Sequence, residues 1–126
     1  MTLFHAAPPA PQPCVGVGAV ASADAARAIA GQQADASRGV LDPAQARVEA
    51  HGVACTRVAR SGDEPWSQII AAAQDHGCDL VFMASHGRRG VQALLLGSQA
   101  KKVLTHSSIP VLVYRPPVAF AEGTTH

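Results

Sequence analysis

Cysteine in any metal-binding spacing is missing from this chain of 126 residues. Its three cysteines, Cys14, Cys55 and Cys78, are odd in number and far apart, with no C-x-x-C or Cys/His pattern. That argues against a disulfide framework or a zinc site, and the thiols read as reduced, small apolar side chains of a cytoplasmic protein. Charge of one sign is scarce as well: ten Lys and Arg stand against nine Asp and Glu, a formal net charge of +1. A general nucleic-acid surface is therefore not expected. The chain starts without a basic leader and its first apolar run ends by Pro8, so neither a signal peptide nor a membrane span is expected. The parts of a dedicated enzyme are also lacking. No nucleophile stands beside a base, no Walker-type lysine follows a phosphate loop, and no metal cluster is formed, so no catalytic residue and no metal ligand is assigned.

What is present is the material of one domain, taken as residues 1–115 with a flexible tail over 116–126. Thr2 to Ala6 reads as a short buried strand, followed by a stiff proline cluster at Pro8, Pro9, Pro11 and Pro13. The run Gly16-Val17-Gly18-Ala19-Val20-Ala21 has glycines in the style of a dinucleotide fingerprint but follows prolines, and reads as loop. Ser22 or Asp24 is expected to cap an alanine-rich helix to about Ala30, interrupted by Gly31 and Gly39. Asp42-Pro43 reads as the start of a second helix ending near Gly52. Val53 to Arg60 alternates as a strand. Pro65 opens a helix that buries Trp66, Ile69, Ile70 and Ala73 and stops at His76-Gly77. Leu80 to Ala84 is apolar throughout, as a strand covered on both faces requires. A last helix is expected to bury Leu96, Ala100, Val103 and Leu104, and Pro110 to Arg115 holds the final strand. Strands alternating with helices predict an α/β fold with a doubly wound parallel sheet.

One junction carries chemistry. Met83-Ala84-Ser85-His86-Gly87 ends a buried strand, nine residues follow, and Gly97-Ser98 opens a helix. Helix-start N–H groups lack intrahelical partners and sit at the positive end of the dipole, so such a junction suits an anion. Arg88 and Arg89 lie in the intervening loop and can add charge-assisted hydrogen bonds to phosphate, or form an ordinary solvated loop face. His86 reads as a residue that fixes loop geometry, His106 as a helix-end cation, and Trp66 as core.

This junction and its flanks, from Arg57 through Lys101-Lys102-Val103-Leu104-Thr105-His106 to Pro110-Val111-Leu112-Val113-Tyr114-Arg115, resemble the second half of a universal stress protein. That family carries Gly-x2-Gly-x9-Gly-Ser/Thr at this place; here the first glycine is Ala84, which keeps its N–H but adds a Cβ. The resemblance implies a Rossmann-like fold that binds ATP, with or without Mg2+, or a related adenine nucleotide, with at most slow hydrolysis. The implied contacts are Met83, Ala84, Gly87 and Arg88 in the loop, Gly97, Ser98 and Gln99 at the helix start, and the backbone near Ala6 at the adenine. It further implies a homodimer paired through Val111, Leu112, Val113 and Tyr114. A dimeric stress-response interaction module that binds no nucleotide is the alternative.

Family members open with a strand and helix bearing an Asp that contacts the nucleotide. Here Thr2 to Ala6 resembles the family's second strand, so a unit of roughly 30 residues is expected to be missing from this N-terminally truncated domain. The missing strand would be the central one, leaving two apolar edges and one face of the sheet uncovered. Three explanations stand: the chain's start is internal to a longer protein, the flanking strands pair directly in a four-stranded sheet, or a partner chain fills the gap.

Overall fold

The structure is a computed structural model that describes residues 1–9, 21–86 and 96–115. Cys14, the run from Gly16, the loop residues Gly87, Arg88 and Arg89, and the tail 116–126 lie outside the described residues. The described elements, in chain order, are β1 (Thr2–Ala7), α1 (Ala21–Ala50), β2 (Thr56–Ser61), α2 (Pro65–Asp75), β3 (Val81–Ala84), α3 (Ser98–His106) and β4 (Val111–Tyr114).

The long first helix departs from the sequence reading. One helix ending at about Ala30 and a second starting at Asp42-Pro43 were expected, but α1 runs unbroken through Gly31, Gly39 and Pro43. Packing explains the continuity. Ile29, Gln33, Ser37, Leu41, Ala44 and Val48 form one stripe at three- and four-residue spacing, with Ser37 and Leu41 buried and the others half-buried. That stripe crosses the proline without a change of phase. Pro43 itself is exposed, so the hydrogen bond it cannot make is left to water. The docked face also carries polar ties: His5 Nδ1 and Ser37 Oγ share a 3.1 Å hydrogen bond, Gln33 donates to the Pro8 carbonyl, and Arg57 pairs with Asp42.

Both α1 and α2 stop in the same way. Gly52 and Gly77 take positive φ, 75° and 61°. Gly52 and Val53 donate to the Glu49 and Val48 carbonyls, and Gly77 and Cys78 donate to those of Gln74 and Ala73. These paired bonds satisfy the last helical carbonyls and need a left-handed residue at that point. Val53 is used in closing α1, which is why β2 starts at Thr56 rather than at Val53.

The strands form two parallel pairs, β1 with β2 and β3 with β4. No hydrogen bond joins β1 to β3 among the described residues, so direct pairing of these strands into one four-stranded sheet is ruled out. One helix nevertheless ties the two pairs together. α2 lies on β1 and β2, and its Trp66, Ile69, Ile70 and Ala73 pack with Val81, Met83 and Val111 of the other pair. α3 completes that layer with Val103, fully buried, at its centre, while α1 lies against β1 and β2.

Two expected burials fail in part. On α3, Ala100 and Val103 are buried, but Leu96 is only half-buried and Leu104 is exposed. On β3 the expected cover of both faces is absent: Val81 and Met83 enter the core, whereas Phe82 is 64% exposed. Leu112 and Tyr114 of β4 share that open face, with the Phe82 and Tyr114 rings 6.2 Å apart. The physical cause is that α2 and α3 cover one side of this pair and no described element covers the other. No described helix is long and apolar enough to cross a membrane.

Candidate functional site

β1 ends at Ala7 and β3 at Ala84, and α3 opens at Ser98; a doubly wound sheet forms a crevice outside the carboxyl ends of its strands. In open α/β sheets such a crevice is where ligands bind. Which backbone groups point there follows from the ladders. The carbonyl of Met1 accepts from Thr56 N–H, and backbone direction alternates along a strand. Met1, Leu3, His5 and Ala7 therefore address β2, whereas Thr2, Phe4 and Ala6 point the other way. On β3, Val81 N–H donates to Pro110 and Ser85 N–H donates to Tyr114. Val81, Met83 and Ser85 address β4 by the same alternation, and Phe82 and Ala84 point away from it.

The junction between β3 and α3 is closed by one short contact. Gly97 N–H donates to the Ser85 carbonyl at 2.7 Å, and a Cβ on Gly97 would stand 2.9 Å from that oxygen. Glycine is needed here for close approach of two backbones, not for an unusual φ, which is −59°. Ser85 is 1% exposed and shares a 3.0 Å hydrogen bond with His86 Nδ1. This contact joins the side chains of adjacent residues, not the backbone bond expected of His86.

Gly97 occupies the N-cap position of α3, and the first helical bond runs from Lys101 N–H to the Gly97 carbonyl. The N–H groups of Ser98, Gln99 and Ala100 precede that bond, at the positive end of the helix. Ser98 is exposed at this helix start. The Gln99 side chain is turned elsewhere, and its Oε1 accepts from the Trp66 backbone N–H at 3.0 Å. Glu64, the N-cap of α2, makes no side-chain cap, so Gln99 supplies from α3 the capping oxygen that α2 lacks. Periodicity within either helix carries no trace of this tie. Trp66 also stacks on His106, ring centres 4.5 Å apart.

Of the residues assigned from sequence, Ala84, Gly97, Ser98 and Gln99 are brought to the junction, and Ala6 lies at the carboxyl end of β1 with its backbone pointing away from β2. Met83 spends its backbone on β4 and its side chain on the core. Gly87 and Arg88 lie outside the described residues. Val111 and Val113 turn their backbone groups to the outer edge of β4, because Pro110 and Tyr114 accept from β3. A separate cavity of about 620 Å³ lies between α1 and the β1–β2 pair. Its arginines are paired with carboxylates, Arg38 with Asp35, Arg57 with Asp42 and Arg60 with Asp75. Among the described residues no three His, Cys, Asp or Glu side chains cluster to hold a metal, and Cys55 and Cys78 are free thiols.

Comparison with known proteins bears on this architecture. The profile of the universal stress protein family matches residues 1–115. Universal stress protein MJ0577 of Methanocaldococcus jannaschii is 39% identical over 51 residues, 40% of this chain and 32% of the relative. Universal stress protein YxiE of Bacillus subtilis is 32% identical over 76 residues, 60% of this chain and 51% of the relative. The matched stretches thus span about a third to a half of these relatives. The solved structure of hypothetical protein MJ0577 superposes with a TM-score of 0.72 at 22% identity, covering 91% of this chain and 74% of that one. A second solved structure, that of hypothetical protein PH0823, gives a TM-score of 0.65 at the same identity, covering 90% of this chain and 73% of that one. The family profile extends through both strand pairs and the junction between them, and on that ground the chain belongs to the universal stress protein family.

Proposed function

We propose that the chain is a stress-response module that binds ATP, with or without Mg2+, or a related adenine nucleotide. The observation that carries this reading is the Gly97–Ser85 contact, which sets unpaired N–H groups of a helix start directly beside the end of β3. Ser98, Gln99 and Ala100 N–H groups, with the Ser98 hydroxyl, would hold the outer phosphates. The Ala84 backbone, which points away from β4, would meet the ribose and first phosphate, and the Ala6 backbone the adenine. Gly87 and Arg88 belong to the same loop in sequence and complete the set. As a binding module it needs no base positioned for attack on a phosphate. Calorimetric titration of the chain with ATP, AMP and adenosine tests the reading. Saturable binding that weakens as phosphates are removed is expected; equal affinities for adenosine and ATP would show that the helix start plays no part.

A dimeric interaction module without nucleotide is the second reading, favoured by the outer edge of β4, which no described strand pairs. Under either reading, homodimerisation through Val111 to Tyr114 uses the outward backbone groups of Val111 and Val113. Val113→Pro removes one outward N–H without costing a β3–β4 bond, since proline is tolerated on edges. Sedimentation should then show monomers where the parent chain is dimeric. A dimer that survives the substitution excludes this edge from the interface.

A further inference from the structure

The cavity of about 620 Å³ between α1 and the β1–β2 pair stands apart from the β3–α3 junction, since none of Ala84, Gly97, Ser98 and Gln99 lines it. Its size falls in the range of small-molecule sites. Part of its wall is buried: Ala7 and Leu41 are apolar, and Ser37 shares its hydroxyl with His5. The rest is open. Ala30 and Ala34 of α1 and Ala59 of β2 line the cavity yet are exposed, so these short side chains leave a gap between helix and strand. Two cations flank that gap, Arg38 on α1 and Arg57 on β2. Side chains alternate along a strand, which puts Arg57 on the same face as Ala59. Arg60 falls on the opposite face, where it meets Asp75 of α2, so its guanidinium is left out of the site.

We propose that this cleft binds an aliphatic monocarboxylate, its hydrocarbon against Ala7, Leu41 and the alanines and its carboxylate on Arg38 and Arg57. Charge selects the head group. Arg38 and Arg57 pair with Asp35 and Asp42 through one terminal nitrogen each, and neither aspartate lines the cavity. A guanidinium carries five N–H donors, so donors remain for a second carboxylate. Both aspartate side chains are more than half exposed, and exposed pairs of this kind shift at little cost. A doubly charged phosphate would be repelled by the same two aspartates. The helix bordering the cleft also offers it no N–H groups, because α1 begins at Ala21, more than two turns before Ala30. Shape selects the body: no aromatic ring lines the cavity among the described residues, and alanine and leucine walls suit a flexible chain.

The test is titration of the 126-residue chain with octanoate, read by the amide NMR shifts of Ala34, Ser37, Ala59 and Ser61. Saturable shifts at these positions are expected, with octanol and octyl phosphate each binding about tenfold or more weakly. Arg57→Gln should weaken octanoate by about tenfold, through loss of a charge-assisted contact. Ala59→Leu fills the gap while keeping both arginines, and should abolish saturation. Both positions are exposed, so the variants keep the fold. Shifts that never saturate, or an affinity unchanged in both variants, overturn the proposal. Octyl phosphate binding as tightly as octanoate overturns the choice of a monocarboxylate. Mg-ATP should leave octanoate affinity unaltered, and competition between the two overturns the assignment of a separate site. A chain that takes octanoate but no ATP supports this site while contradicting the nucleotide reading, so the two stand or fall independently.

Discussion

Gly97→Ala is expected to destabilise the domain by about 1–3 kcal/mol, the usual cost of forcing an added carbon into a packed contact. For a domain of this size that lowers the melting temperature by roughly 4–12 °C. The new Cβ would meet a backbone oxygen, that of Ser85 at 2.9 Å, and not the yielding end of a side chain. Relief comes only by parting α3 from the end of β3, which breaks the 2.7 Å bond between Gly97 and Ser85. Nucleotide affinity should fall with it, by about tenfold or more, equivalent to roughly 1.4 kcal/mol. Gly39→Ala is the control. Nothing lies within 4 Å of a Cβ there, and within a helix alanine gains about 0.5–1 kcal/mol over glycine. Thermal melts of the two variants should therefore move in opposite directions. A Gly97→Ala protein that melts with the parent and keeps its ATP affinity would show that the close approach does not matter.

Val103→Asp should have the larger effect on folding. Val103 is fully buried on α3, at the centre of the cluster with Ala73 and Val81. A carboxylate there has no cation among its packed neighbours, Trp66, Ile69, Ile70, Met83, Ile109 and Val111, and an unpaired buried charge costs about 3–5 kcal/mol. Against a total stability of about 5–15 kcal/mol for a domain, that is enough to unfold much of the population. The loss of the valine side chain adds to it, and Val103→Ala isolates that share at about 2 kcal/mol. Urea titrations of the three proteins read the difference as a shift in midpoint. An aspartate variant as stable as the alanine variant would place residue 103 outside the core.

Much of this was legible in the residues. The i, i+3, i+4, i+7 stripe of Trp66, Ile69, Ile70 and Ala73 is local, and the structure buries that face. Gly52 and Gly77 announced helix ends because the left-handed conformation they adopt is costly for other residues. Pro43 misled for the opposite reason. Its local penalty is real, but the stripe from Ile29 to Val48 docks on β1 and β2 as one surface, and tertiary packing outweighs one lost hydrogen bond. The β3 run Val81 to Ala84 is apolar throughout, yet only one of its faces is covered by described elements, because which face a helix layer reaches is not written in the strand itself. What local pattern could not reveal are ties between distant elements. The Gln99 oxygen capping α2 and the Gly97 backbone on Ser85 depend on how α3 lands against its neighbours.

The most direct test of the nucleotide reading is a thermal melt of the 126-residue chain with and without saturating Mg-ATP. A ligand at about 100-fold over its Kd adds roughly 2.7 kcal/mol to the folded state. The account predicts a single cooperative transition raised by ATP in the parent chain, with a much smaller rise in Gly97→Ala. A cooperative transition that ATP leaves unmoved would contradict it, and would leave the chain as an interaction module of its family.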